Sequence, residues 1–274
     1  MTMPDHLVPS PAGTVALVSI AVPIYNTARF LRAALDSMLA QDHAHWEGLL
    51  WDDGSTDGSR EIAADYARRD PRFRLLGDGR NRGQATALAS ALAQATGQYV
   101  CTLDSDDMLE PEALSTMSGW LQGNPSIGMA YSQYREMDED GRLLGLGQRS
   151  LVAYSPQKLL VKFMSFHFRM IRADAYRAVG GVDPASGYAD DYDLCLRLSE
   201  RYPIEHVAKP LYRYRVRRGS ISHRSRLRQV RATFDAAQRA LLRRGLQAQY
   251  ALSLGVRARH VLRPKNAAPR GDES

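Results

Sequence analysis

Residues 16–26 read ALVSIAVPIYN, and residues 27–41 continue as TARFLRAALDSMLAQ. The first run is apolar up to Pro23, as a strand covered on both faces is; the second carries its apolar residues at helical period. They predict one β-α step. A second step follows in WEGLLWDDGSTDGSREIAADYARR (46–69), a short apolar strand, a turn of Asp, Gly and Ser, and a helix that Ser55 or Thr56 is placed to cap. FRLLGDGRNRGQATALASALAQATG (73–97) gives a brief strand, a polar loop and an Ala-rich helix, and QYVCTLD (98–104) gives a fourth strand. Strands alternating with helices predict an α/β protein with a parallel, doubly wound sheet. Ligands of such sheets lie at the carboxyl ends of the strands. Three polar loops meet there: Pro23 to Asn26, Asp52 to Asp57, and Asp104 to Asp107.

Beyond Pro111 the pattern is mixed. PEALSTMSGWLQGNP (111–125) predicts a helix, the Asp140-Gly141 pair a hairpin turn, residues 190–201 a helix, and LYRYRV (211–216) a strand. From His223 the chain is basic and amphipathic and predicts two helices, before a tail too polar to pack.

The 274 residues are 44% hydrophobic and 24% charged, an ordinary globular balance. A chain of this length buries roughly 75% of its unfolded surface, enough for a large domain with an appendage. Basic residues number 36 against 30 acidic ones, and the excess falls after Lys209, so attraction to polyanions belongs to the C-terminal region. Two cysteines, Cys101 and Cys195, make neither a disulfide framework nor a metal-ligand spacing, and a reducing cytoplasm is expected. The opening MTMPDHLVPSPAG lacks a charged region followed by an apolar one, and no window approaches the ~18 apolar residues of a membrane span. Neither export by that route nor insertion is expected.

Asp104, Asp106 and Asp107 crowd three like charges into four positions, which is costly unless a cation or a donor-rich ligand neutralises them. If strand geometry persists, Asp104 and Asp106 project the same way and face one ligand. Carboxylates suit Mg²⁺ or Mn²⁺, completed by a phosphate-bearing ligand. The structural alternative is an acidic helix N-terminus ahead of Pro111.

The strings VSIAVPIYN, DDGSTDGS, NRGQATALASALAQATGQYVCTLDSDD and GGVDPASGYADDYDLCLRL resemble, in order and spacing, the family 2 inverting glycosyltransferases of the GT-A fold group across Val18 to Ser222. A narrower likeness, in SFHFRMIRADAYR and DDYDLCLRLSE, is to bacterial polymerases of chondroitin and hyaluronan. The resemblance implies a Rossmann-like, mostly parallel sheet with a small mixed acceptor-side region and C-terminal helices. It divides the chain into a flexible lead (1–14), a transferase domain (15–222, with a nucleotide-binding half at 15–110 and an acceptor-binding half at 111–222), a basic helical extension (223–265) and a disordered tail (266–274). Pro23, Tyr25 and Asn26 would line a nucleotide pocket. Asp53 would contact the base, most often uracil in this family, and Asp104 would lie near the ribose and donor sugar. Asp106 would hold the metal, Mn²⁺ or Mg²⁺.

The same resemblance makes Asp191 the base, with Asp190 before it. Inverting transfer needs one base at the acceptor hydroxyl and an electrophile on the departing diphosphate, and no covalent intermediate. An acidic first helical turn is the structural alternative for Asp190 and Asp191. His167 and Arg169, two apart in SFHFRMI, would face the same side of a strand, toward donor or acceptor. Arg217 occupies the position where many relatives carry a metal-ligating His; Arg215, Arg217 or Arg218 would instead pair with the diphosphate, the structural alternative being an edge strand of solvated arginines. The expected partners are a nucleotide-sugar donor and a glycan, lipid-linked or other hydroxyl acceptor, with no nucleic acid. The basic extension would touch the inner membrane face peripherally. Two other readings compete: a nucleotide- or membrane-surface-binding module, and a sugar-nucleotide pyrophosphorylase, which would need a Gly-rich basic loop where this chain has PIYNTARF. The GDGRNRG segment lacks the third glycine of a dinucleotide-binding turn, Arg82 standing in its place.

Overall fold

The computed structural model describes residues 15–217 and 226–255. The expected lead over residues 1–14, residues 218–222 at the end of the transferase domain, both ends of the basic extension and the tail at 266–274 lie outside the described residues.

Strands β1 (Val18–Ile24), β2 (Trp46–Asp52), β3 (Phe73–Leu76) and β4 (Tyr99–Thr102) alternate with helices α1 (Ala28–Leu39), α2 (Ser59–Arg69) and α3 (Gln84–Leu92). They pair in parallel in the order β3-β2-β1-β4, so the first loops of the chain gather at one sheet edge. The chain continues through β5 (Met108–Leu109), α4 (Ala113–Gly123), β6 (Met129–Met137), β7 (Leu143–Leu146), α5 (Pro156–Leu159), β8 (Arg169–Arg172), α6 (Ala173–Ala178), α7 (Asp190–Arg201), β9 (Ile204–Arg215) and α8 (Arg226–Arg243). These strands extend the same sheet past β4 in the order β8-β6-β9-β5, with β7 folded back on β6. β8 runs antiparallel to β4, and β9 is parallel to β6.

The apolar run of β1 is explained by burial on both sides. Val18, Ile20, Val22 and Ile24 join a core formed with α1, α2 and α4, while Ala21 on the other face joins the core shared by α3, α7 and α8. Gly77 closes the turn after β3 with φ 103°, and a Cβ there would lie 2.3 Å from the Asp52 carbonyl oxygen. Only glycine lets the β3 turn lie this close to the end of β2.

Three elements depart from expectation. The strand in SFHFRMI is shorter than its alternation implied: β8 begins at Arg169 and His167 lies outside it. β9 is longer than LYRYRV and contains Pro210, tolerated because the register with β6 shifts beside it. The basic extension gives one described helix, α8, because Gly245 (φ 65°) ends it; Leu246 N–H bonds to Leu241 C=O (3.1 Å) and Gly245 N–H to Leu242 C=O (3.0 Å). The apolar stripe of α8, Ala236, Ala237, Ala240 and Leu241, is buried in the core shared with α7. Arg243 reinforces that docking with two bonds of 2.8 Å to Glu200. No helix among the described residues is long and apolar enough to cross a membrane.

Candidate active site

The two loops after β1 and β2 are laced together. Asn26 sits at φ 51°, a conformation Asn tolerates, and its Oδ1 accepts the Thr56 N–H (2.8 Å) while its own N–H donates to Ser55 Oγ (3.1 Å). Thr27 N–H donates to Ser59 Oγ (2.9 Å) and Ala28 N–H to Asp57 Oδ2 (2.9 Å). The expected cap of α2 by Ser55 or Thr56 is not made; Asp57 takes the Ser59 N–H at 3.0 Å. Tyr25 and Asn26 are exposed at the mouth and Pro23 is half-buried behind them. Asp53 is buried, and its two oxygens accept the amides of Arg82 (2.8 Å) and Gly83 (2.9 Å), fixing the loop that opens α3. Its carboxylate therefore shapes the third loop of this edge. The Arg82 guanidinium pairs with Asp78.

The acid cluster is a turn. β4 ends at Thr102, and Asp107 N–H bonds back to Asp104 C=O (3.0 Å), so strand alternation stops before Asp106. The alternation that would aim Asp104 and Asp106 at one ligand therefore does not reach Asp106, although the Asp106 charge still acts on Asp104. The ligand atoms that converge, all within 4.8 Å of one another, belong to Asp104, Asp107 and His167. Neither Asp106 nor Asp107 caps α4, which begins at Ala113 after the intervening β5.

Residues distant in the chain hold this turn. Asp107 is buried and accepts the Arg215 N–H at 2.7 Å; the Tyr212 hydroxyl accepts the Asp104 N–H at 3.2 Å. Arg215, expected to face a diphosphate, is buried, with its guanidinium donating to the carbonyls of Asp106 (2.7 Å), Asp138 (3.0 Å) and Glu139 (2.9 Å). Arg217 Nε lies 2.6 Å from Asp106 Oδ2. His167 is stacked on Tyr212 with ring centroids 4.6 Å apart, its Nε2 4.0 Å from Asp104 Oδ2. Burial first, then Arg169 and Arg149, hold its pKa well below the usual histidine range, so the ring is neutral and offers a lone pair.

Burial and then the Asp106 charge push the Asp104 carboxyl up to about 7, and burial followed by Asp106 and Asp104 push Asp107 well above the carboxylate range. A pair of strained carboxyls beside a neutral imidazole fits a hard divalent cation, whose charge would relieve both. Asp107 was the missed member of this set; its signal was the third carboxylate of the run.

Asp191 enters from the far side of β4, in the first turn of α7. Its Oδ2 lies 3.4 Å from Arg169 Nη1, and its Oδ1 accepts the Tyr192 N–H at 2.7 Å. Arg169 also donates to the Ser165 carbonyl (3.0 Å); burial disfavours its charge, but the surrounding acids, Asp191 foremost, keep its pKa raised. His167 and Arg169 thus both line the site, one beside Asp104 and the other beside Asp191, without sharing a strand. Asp190 is pushed up to about 7 by burial and then by Asp191. A small apolar pocket lined by Leu88, Leu92, Ile171, Val182 and Leu194 reaches Arg169 and Asp191, a low-dielectric floor for both charges. Asp193, in the same helical turn, is structural: buried, it pairs with Arg197 (2.7 Å) and with Arg239 of α8 (3.4 Å).

The family model of glycosyl transferase family 2 matches residues 19–180. The chain is similar to the chondroitin synthase of Escherichia coli, 34% identical over 198 residues, covering 72% of this chain and 29% of that protein. It therefore spans less than a third of that relative's length. The fold is similar to that of S. aureus TarS 1-349 in complex with UDP (TM-score 0.66, 19% identity, 82% of this chain and 65% of that one). It is also similar to the mannosyltransferase PcManGT from Pyrobaculum calidifontis in complex with GDP-Man and Mn2+ (TM-score 0.59, 20% identity, 89% and 79%).

Proposed function

Since the chain belongs to glycosyl transferase family 2 and is a glycosyltransferase, we propose that it moves a sugar, with inversion, from a nucleotide diphosphate donor to a hydroxyl of a glycan or lipid-linked acceptor. The observation that carries this reading is the meeting, at one sheet edge, of the laced β1 and β2 loops, the acid turn and Asp191. TarS, similar in fold, is solved with UDP, and UDP is the nucleotide we assign to the donor. The glycan acceptor follows the chondroitin synthase likeness.

In this reading Pro23, Tyr25 and Asn26 receive the nucleotide, in a pocket whose wall Asp53 fixes, and Asp104 lies beside the ribose and sugar. Asp104, Asp107 and His167 would hold a divalent cation, and Asp106, paired with Arg217 in the free protein, would join them once released. A cation bound there neutralises charge on the departing diphosphate. Arg217 offers the diphosphate a guanidinium, while Arg215, committed to backbone carbonyls, positions the turn. Asp191 takes the acceptor hydroxyl proton as that oxygen attacks the anomeric carbon and the bond to the diphosphate breaks. Arg169 orients Asp191. Asp190, which burial and then Asp191 push up to about 7, adjoins the base and is placed to hydrogen-bond the sugar.

The acceptor approaches from residues 111–222, opposite the nucleotide half at 15–110. Phe166 and Tyr214, partly exposed, 5.4 Å apart and packed on His167, give that side an aromatic wall against which a sugar ring can lie. Any contact of α8 with an anionic membrane runs through its outward arginines, Arg228 and Arg231, because its apolar stripe is occupied by α7.

Proton NMR of the transfer product checks the stereochemistry. An α-linked donor is expected to give a β-linked product; retention of configuration would remove Asp191 from the role of base.

A further inference from the structure

The geometry points to Arg217 as a built-in counter-cation for Asp106, one that an incoming divalent cation has to displace, so that cation and donor diphosphate bind as a coupled pair. This rests on the acid turn being the diphosphate site.

Three guanidiniums surround the Phe30 ring: Arg29 at 5.0 Å, Arg215 at 4.9 Å and Arg217 at 5.5 Å. Two are otherwise committed. Arg29 pairs with Glu139 (2.9 Å) and Asp140 (3.3 Å), and Arg215 with three carbonyls. Arg217 instead reaches into the acid turn, where its Nε meets Asp106 Oδ2 at 2.6 Å, with side chains only 27% and 18% exposed. At that depth the attraction is screened less than on the surface, and it opposes a second cation at the same carboxylate. Arg215, two residues earlier and clamped, anchors the backbone from which Arg217 extends, so a swing of one side chain can exchange Asp106 for a phosphate. A guanidinium matches a diphosphate oxygen pair as well as it matches a carboxylate. Arrival of the diphosphate therefore gives Arg217 a new partner and frees Asp106 for the cation. Each ligand strengthens the other by the same factor.

The test is titration of Mn²⁺, followed by the electron paramagnetic resonance of the free ion, on the full chain with and without UDP. Arg217→Gln is expected to bind Mn²⁺ alone about 10-fold more tightly than the wild type and to show about 10-fold weaker coupling between Mn²⁺ and UDP. Arg217→Lys, which keeps the charge, is expected to retain weak Mn²⁺ binding. In an Asp106→Asn background, Arg217→Gln should change Mn²⁺ affinity less than two-fold, separating the specific pair from a general loss of positive charge. Unchanged or weaker Mn²⁺ binding by Arg217→Gln overturns the proposal, as does an equal effect in the Asp106→Asn background. Absence of UDP binding in every protein would overturn the donor-site reading instead, while the Mn²⁺ titrations alone would still decide the counter-cation.

Discussion

Asp191→Asn lowers turnover by about 10³-fold, within the range a positioned general base contributes, and leaves UDP binding within about two-fold. The substitution is close to isosteric, and the amide oxygen still accepts the Tyr192 N–H that Asp191 Oδ1 accepts at 2.7 Å. Arg169 loses one partner at 3.4 Å but keeps the Ser165 carbonyl at 3.0 Å, so the floor of the site stays in place. What disappears is the capacity to take a proton. Asp190 is not held in the ion pair with Arg169 that aims Asp191. The measurement is single-turnover transfer beside calorimetric UDP titration. Turnover within ten-fold of the wild type would show that another group accepts the proton.

The second large effect is on stability. Arg215→Met removes one buried guanidinium that satisfies three part-buried backbone carbonyls and packs on Phe30, and is expected to cost about 3 kcal/mol, the lower end of the roughly 1–3 kcal/mol that each abandoned acceptor loses. For a chain of this size that is a fall of roughly 6–10 °C in melting temperature. Arg215 is only 5% exposed, so the loss falls on interior packing as well as on the carbonyls. Arg217→Gln, touching the same ring but paired with one side-chain carboxylate, Asp106, in place of three carbonyls, should lower the melting temperature far less. Equal melting temperatures for Arg215→Met and the wild type would contradict Arg215 as the clamp of the acid turn.

The parallel half of the sheet was legible because its signals are local. β1, β2 and β4 are apolar runs covered on both faces, and each ends in polar residues at the edge where the site forms. The helix at Asp190–Arg201 and the Asp140-Gly141 hairpin were legible for the same reason. The acid turn was not. Which carboxylates converge is decided by Tyr212 and Arg215, each 108 positions away from the aspartate it holds, and no periodicity near Asp104 reports them. His167 misled through its neighbours: Phe-His-Phe-Arg alternates like a strand, yet pairing begins at Arg169 and the imidazole is set by stacking on Tyr212. Arg215 and Arg217 look equivalent in YRYRVR (212–217), and only burial separates the clamp from the residue that reaches Asp106.

Calorimetric titration of UDP into the wild type and into Asp104→Asn, each with Mn²⁺ and with chelator, tests the central claim that the nucleotide loops and the acid turn form one donor site. Tight binding that needs Mn²⁺ in the wild type, and is weakened at least ten-fold by chelator or by Asp104→Asn, is the predicted result. Binding indifferent to both, or no binding of the diphosphate at all, would contradict it.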